Sequence, residues 1–468
     1  MMLKAVSNED KTLYSNKTRF RLMVVLFFLV FCDLFCLVFF RTNLIKIPAL
    51  YIFTACIMYL VILYKNSINK YEVGIFSFLF IQLLALAPKI DNLCSLTAST
   101  FLLSYRYGVS SRGFLGTVVD FLSNGEFISR YFVWHFIFCS LILMIFLISV
   151  YLGYFIKSNK DNIKPFVLFL SLLLLTCFAS PAAYFTPNNF GRSEIYALLF
   201  MLILVAIIDN QYLKWLIPVF ALFTISIHLI LVFFYIPFIF ILLFYKLPEK
   251  KSYIALFFVS FVVVVSSFIS YLLFAKQTFM FPDAAAFVEY IKTKTDLNYA
   301  YEFIHMIFFA GFGDHLSDWR GLMAGWGFLK FSGTISVLIN LPLIVLFAYF
   351  WICCFRVEQK RYMKLFFTLP VLLFVYHIPV FFMFFDFGRW MIMIILIQFM
   401  LIFYLIYVKN NTVLTVVAKM APVINRNKWY IIVACATMLF LGPVAAIRPS
   451  DRVNHIILGF LDLLKFGF

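Results

Sequence analysis

Charged residues make up 13% of this 468-residue sequence and hydrophobic residues 65%, where a soluble domain is about a quarter charged and about half apolar. No water-soluble fold hides that much apolar surface. Nucleotide and metal motifs are missing too. No GxxxxGK stretch offers a phosphate-cradling loop, which argues against ATP-driven action by this chain alone. No HExxH, CxxC or close set of His and carboxylates suggests zinc. No GxSxG supplies a serine nucleophile elbow. The nine cysteines lie mostly inside apolar runs, with Cys353 and Cys354 adjacent in one, and imply no disulfide framework.

What is present is a series of long apolar runs, at about 22–40, 48–64, 72–88, 131–156, 165–180, 194–208, 215–245, 252–274, 333–354, 365–385, 390–408 and 429–447. At about 1.5 Å per residue such runs cross about 30 Å of hydrocarbon as helices. A barrel would instead show strands of about ten residues that alternate apolar and polar. Residues 1–21 suit a cytoplasmic tail and 22–40 a retained first helix, because no small-residue cleavage pattern follows. The short apolar stretch 456–468 carries Asp462 and Lys465 and suits an interfacial helix.

The formal net charge is +17, from 38 Lys and Arg against 21 Asp and Glu. In a soluble protein this would suggest nucleic acid. Here most of the lysine lies in short loops, where positive charge retained on the cytoplasmic side explains it and no nucleic-acid partner is implied. With the amino-terminal tail inside, the stretches 65–70, 157–164 and 209–214 also fall inside. The 31-residue run 215–245 then decides the parity. Two short helices meeting near His228 and Leu229 keep Lys246, Lys250, Lys251, 356–364 and 409–428 inside as well. A single tilted helix plus a re-entrant element elsewhere is the alternative.

The expectation is an all-α polytopic transmembrane helical bundle, residues 1–468 forming a single membrane domain. It has about 13 membrane segments and a cytoplasmic amino terminus. Two large non-cytoplasmic loops, 89–130 and 275–332, are expected to hold amphipathic or re-entrant elements, since patches such as 297–310 are aromatic and apolar.

The outer side, which should be poor in basic residues, collects arginines beside glycines: Arg106, Arg112, Arg192, Arg320 and Arg389. A Phe-Gly-Arg triplet occurs twice, ending at Arg192 and at Arg389. Glycine permits close backbone approach, and a guanidinium offers a planar fork of donors to phosphate or carboxylate. The plainer alternative is that each arginine pairs with a local acid such as Asp120, Glu194, Asp318 or Asp386, or reaches to lipid headgroups. An anion bound at that face, among aromatic residues, would most naturally be the phosphate of a lipid-linked substrate.

Acid or base candidates on the same side are Asp120, Glu126, Glu194, Asp314, His315, Asp318 and Asp386, with 314–318 the densest cluster. Asp318 and His315 are the leading general-base candidates. Inside apolar runs, Asp33 and His377 read as satisfied packing residues, as does His228 at the turn between the paired helices. No cofactor is required; a divalent ion bridging pyrophosphate to Asp314 or Asp318 is compatible with the sequence.

Taken together, the chain resembles the multispanning, aromatic-rich proteins of bacterial surface-polysaccharide synthesis, in particular O-antigen polymerases. The likeness is one of architecture over the whole chain. Arg106 and Arg112 in the first large loop and Arg320 in the second stand where that family has functional loop arginines. The resemblance implies a protein of the bacterial inner (cytoplasmic) membrane that joins undecaprenyl-pyrophosphate-linked oligosaccharide units at the periplasmic face. Arg106, Arg112, Arg192, Arg320 and Arg389 would hold pyrophosphate, Asp318, His315 or Asp120 would act on the acceptor, and a chain-length regulator or other assembly protein would be a partner. Membrane glycosyltransferases that use polyprenyl-phosphate sugars to add side branches are also similar. Their common pattern has an acidic residue in the first outer loop, and 41–47 has none. A flippase for lipid-linked sugars is the contrasting class, and it predicts polar residues lining a route through the membrane.

Overall fold

The computed structural model describes residues 43–65, 68–110, 112–159, 162–274, 278–308, 326–378 and 387–442. The first apolar run with Asp33, and also Asp314, His315, Asp318, Arg320 and Asp386, lie outside the described residues. Among those described, the structure is helical, and extended pairing is limited to one bridge between Ile128 and Thr295.

The chain enters through α1 (Asn43–Lys65) and α2 (Lys70–Leu86). Asn69 starts α2 in a capping box: its side chain accepts from the Glu72 N–H while the Glu72 carboxylate receives the Asn69 N–H. The first large outer stretch holds two short helices, α3 (Ser95–Leu102) and α4 (Gly113–Leu122). Then come α5 (Arg130–Ser158), α6 (Lys164–Thr176) and α7 (Glu194–Ile207). The link between α6 and α7 is not a surface loop. A 3₁₀ turn over Pro181–Phe185 is wholly buried, and Asn189, also buried, donates from Nδ2 to the Ala183 carbonyl at 2.9 Å.

The long apolar run divides at His228. α8 (Ile217–Ile227) stops there, His228 is extended (φ −165, ψ 123), a 3₁₀ turn covers Leu229–Phe233, and α9 (Tyr235–Lys246) resumes. Next are α10 (Lys251–Phe274) and, in the second outer stretch, α11 (Ala284–Lys292) and α12 (Tyr301–Phe308). The last elements are α13 (Trp326–Val357), α14 (Arg361–Tyr376), α15 (Phe387–Tyr407), α16 (Asn411–Arg426) and α17 (Lys428–Leu441).

Among the described residues seven helical stretches are long and apolar enough to cross a bilayer, and the chain is a multi-pass membrane protein. The expected total of about 13 also counts shorter apolar helices such as Glu194–Ile207 and Leu213–Ile227, and the undescribed 22–40. Burial separates the spans. In Gly388–Tyr407 89% of the residues of the apolar span are buried, so α15 is the axis of the bundle, whereas in Lys251–Leu273 only 17% are. On α10, Phe258, Val262 and Leu273 point outward, which only hydrocarbon tolerates. A polar staple fixes α15 to its neighbours: Trp351 Nε1 donates to Gln398 Oε1 at 2.6 Å, and Gln398 Nε2 donates to the Pro370 carbonyl at 3.0 Å. With both amide groups engaged, Gln398 is an inexpensive polar residue to bury.

Helix ends gather into two faces. At one, Lys246 bridges Asp209 and Glu249, Lys214 donates to Ser252, and Lys65 pairs with Glu72. This lysine face is the one that charge bias assigns to the cytoplasm. At the other, the stretches 89–130 and 278–308 are laced together. Arg130 donates from its backbone N–H to Asp296 and from its guanidinium to Asp91 and to the Asp296 carbonyl. Backbone N–H groups of Ile128 and Met280 donate to the carbonyls of Lys294 and Tyr107, and that of Ala300 to Ser99 Oγ. The segment 278–308 is thereby a cover over 95–130 and not a separate domain.

Candidate functional site

The site is built where the two Phe-Gly-Arg triplets meet. In the first, Phe190 is fully buried and anchors the turn. Gly191 adopts φ +79, and a Cβ there would come within 2.4 Å of Ile137 Cδ1. Only glycine fits this left-handed, crowded position. The turn delivers Arg192 to a half-buried place, its Nε donating to the Asn188 carbonyl at 3.0 Å. Two residues later Glu194 opens α7, where a carboxylate suits the positive helix start.

The second triplet opens α15. Its Arg389 donates from Nη2 to Glu194 Oε1, with both side chains buried, across 195 residues of sequence. An arginine in the first turn of a helix is opposed by the helix dipole, and Glu194 supplies the compensating charge. Tyr184 and Tyr235 are buried beside the pair, close enough to feel its charges. Behind it runs an aromatic column. The Arg389 guanidinium lies 5.0 Å from the Trp390 ring centre, Trp390 stacks on Phe234 at 5.1 Å, and Phe234 stacks on His377 at 4.7 Å. His377 is therefore an aromatic packing partner whose Nδ1 faces the Leu373 carbonyl.

His228 lies within electrostatic reach of three of the arginines. Removal from water, followed by the nearby guanidinium charges of Arg112, Arg389 and Arg192, holds its imidazole well below its ordinary pKa. It is neutral at physiological pH. Its Nδ1 accepts the Ile230 N–H at 3.1 Å. A neutral imidazole that accepts at Nδ1 carries its proton on Nε2, so His228 offers a donor, not a base.

Arg112 reaches this point from the first outer stretch. It precedes α4, which leans on α8 through Phe114 and Phe223, 4.7 Å apart. Tyr105 fixes the same junction: its hydroxyl meets that of Tyr271 at 2.8 Å, and Tyr271 meets Ser226 Oγ at 2.7 Å, two residues before His228. From the cover, Phe303 on α12 lies under the Arg112 guanidinium at 4.6 Å. Arg112 is half-buried, a cation sandwiched between the cover and the bundle.

Arg106 is drawn elsewhere. Its guanidinium is 3.9 Å from Asp120, and Ser104 Oγ donates to the other Asp120 oxygen at 3.3 Å. The glycine that seats this arginine is Gly125, at φ +67, where a Cβ would strike Nη1 at 2.1 Å, and not the sequence neighbour Gly108. Asp120 is thus held within the first outer stretch by Arg106 and Ser104. The remaining site residues proposed from sequence, Asp318, His315 and Arg320, lie outside the described residues. Among the described residues no group of three or more His, Cys, Asp or Glu side chains is gathered to hold a metal ion.

Sequence reasoning missed that Glu194 joins the two triplets and that three arginine charges reach His228. A faint signal existed, since an acid two residues past one triplet matches the arginine of the other. Comparison with known protein families, with curated proteins and with solved structures returns no match.

Proposed function

We propose that this membrane protein is a glycosyltransferase or polymerase acting on oligosaccharides linked to a polyprenyl pyrophosphate, at the face where its arginines gather. The observation that carries the reading is that the charges of Arg112, Arg192 and Arg389 all reach His228, while Arg389 is buried against Glu194 and Trp390. These residues come from three distant parts of the chain. Arg389 is paired with Glu194, and Arg112, Arg192 and the Nε2–H of His228 complete the set of donors. Planar cations beside an imidazole donor suit pyrophosphate, above all as charge develops on its departing oxygen.

An apolar groove supports a lipid-linked substrate. It measures about 380 Å³ and is lined by Pro237, Phe240, Phe257, Leu369, Leu373 and Tyr376, from α9, α10 and α14. It ends at Tyr376, beside the His377–Phe234–Trp390 column that leads to Arg389. A polyprenyl tail in the groove leaves its pyrophosphate at the arginine face. In the reaction, the acceptor hydroxyl oxygen attacks the sugar's anomeric carbon while the bond to the pyrophosphate oxygen breaks. The hydroxyl proton passes to a base, for which Asp318, His315 and Asp120 are the candidates. His228 serves as a donor to phosphate instead. Holding both lipid-linked substrates at one face supplies rate by proximity.

A flippase would carry charge deep between helices, and the buried Glu194–Arg389 pair is the observation in its favour. Both residues, however, occupy the first turns of α7 and α15, at helix ends.

The test is complementation of cells lacking the gene with Arg112→Ala and Arg192→Ala, followed by electrophoresis of lipopolysaccharide. Loss of polymerised chains with single units retained supports polymerisation. Normal chain length with altered branching supports a side-branch transferase. Wild-type length and branching in both variants would sink the arginine-face reading.

A further inference from the structure

The stretch between α15 and α17 belongs to the lysine face. α15 runs from its first turn at Arg389 to Tyr407, 18 residues or about 27 Å, so this stretch is a bilayer's width from the arginine cluster. The chain leaves α15 through Lys409 in a left-handed conformation (φ 55), and Asn410 then caps α16 by accepting the Val413 N–H at 3.1 Å. α16 is two-sided. Val413, Val416, Val417 and Ala421, at helical spacing, are buried against α6 and α13, while Lys419 and Arg426 are exposed. No acidic residue occurs from 409 to 428.

A second basic stretch, the turn from α13 to α14, is tied to the start of α16. Its one acid, Glu358, accepts the Thr412 hydroxyl at 2.6 Å and the backbone N–H groups of Gln359 and Lys360 at 2.9 Å. Burial opposes the charge, yet these donors hold the carboxyl below its ordinary pKa, so it stays ionised and turned inward. Outside remain Arg356, Lys360 and Arg361 from one stretch and Lys419, Arg426 and Lys428 from the other, all exposed. Trp429 and Tyr430 follow at once, 70% and 80% exposed, and α17 continues with outward-facing Ile432, Val433 and Phe440. A helix with that surface needs hydrocarbon around it, so the cations at its start lie at the boundary between lipid and water.

We propose that α16 and the α13–α14 turn form a docking surface for anionic phospholipid headgroups, with Trp429 and Tyr430 seated at the acyl boundary. Charge complementarity selects the occupant. Six exposed cations with their neighbouring acid turned away match a phosphate-bearing layer, and aromatic residues of mixed polarity belong at that depth. An acidic protein would match the charges but not the apolar and aromatic surface interleaved with them.

The experiment uses the full chain in detergent, titrated with phosphatidylglycerol or phosphatidylcholine and read by native mass spectrometry. The test variant is Lys419→Gln/Arg426→Gln/Lys428→Gln; the control is Lys292→Gln/Lys294→Gln in the opposite cover. Each cation near an anionic surface is worth roughly a factor of five, so the triple variant should bind phosphatidylglycerol on the order of a hundredfold more weakly. The control should bind as wild type, and the preference over phosphatidylcholine should fade at high salt. All substituted side chains are exposed or half-exposed, and an unchanged melting temperature verifies folding. Equal binding of the two lipids by wild type, or equal loss in variant and control, overturns the proposal. So does a triple variant that keeps its lipid while losing a co-purifying acidic protein.

Discussion

The two faces of this bundle hold their cations in different ways. On the lysine face the cations are either paired locally, as Lys246 is with Asp209 and Glu249, or spread outward along α16 and the α13–α14 turn. On the arginine face, a buried pair joins Arg389 to Glu194 across 195 residues, and the charges of Arg112, Arg192 and Arg389 reach one imidazole. Topology needs only the sign of charge in each loop, whereas convergence needs side chains at particular places. The second arrangement therefore points to a ligand.

The largest expected effect comes from removing Glu194, which leaves Arg389 buried without its carboxylate. Glu194→Ala should lower stability by about 3–5 kcal/mol, measured by unfolding in detergent; a loss under about 1 kcal/mol would show that the pair is dispensable. Arg112→Ala addresses binding instead. It should weaken pyrophosphate binding about ten- to a hundredfold by isothermal titration while the melting temperature stays within a few degrees. If affinity is unchanged, the convergence on His228 is electrostatic coincidence.

Gly125→Ala is a smaller perturbation. The left-handed backbone costs a side chain about 1–2 kcal/mol, and the added methyl pushes Arg106 from Asp120. Thermal unfolding should register that cost with little change in pyrophosphate affinity, since Arg106 belongs to a separate pair. A pH series sharpens the assignment of His228. Its folded pKa lies below the free value of about 6.5, so the unfolded chain takes the proton first. Stability should be full above that value and decline as pH falls toward the folded pKa. His228→Gln should flatten the decline, and an unaltered slope would place the titration elsewhere. The smallest effect belongs to the lysine face, where Lys250→Ala at an exposed position should change stability by less than about 1 kcal/mol in thermal unfolding.

Much of the fold was legible because a bilayer imposes simple demands. Apolar runs of sufficient length and loops rich in lysine follow from residue type and order alone. Even the break at His228 followed from parity, since a single helix there would have reversed every later loop. The buried turn at 181–185 was not legible, because Pro-Ala-Ala-Tyr-Phe is as apolar in a core as at a membrane edge. Nor was α16: its valines read as part of a basic loop until α6 and α13 gave them a surface to cover.

For the site, sequence supplied the residue types. It marked Arg112, Arg192 and Arg389 by their position against the usual charge bias, and it named Glu194 and Asp120 as acids within range. Only the tertiary structure decided that Glu194 pairs with Arg389 across 195 residues of sequence, that Asp120 holds Arg106, and that His228 is a donor within reach of three guanidinium charges. The reason is physical. Membrane sorting depends on the sum of charge in each segment, which a sequence contains, whereas pairing and protonation depend on distances set by packing among helices far apart in the chain.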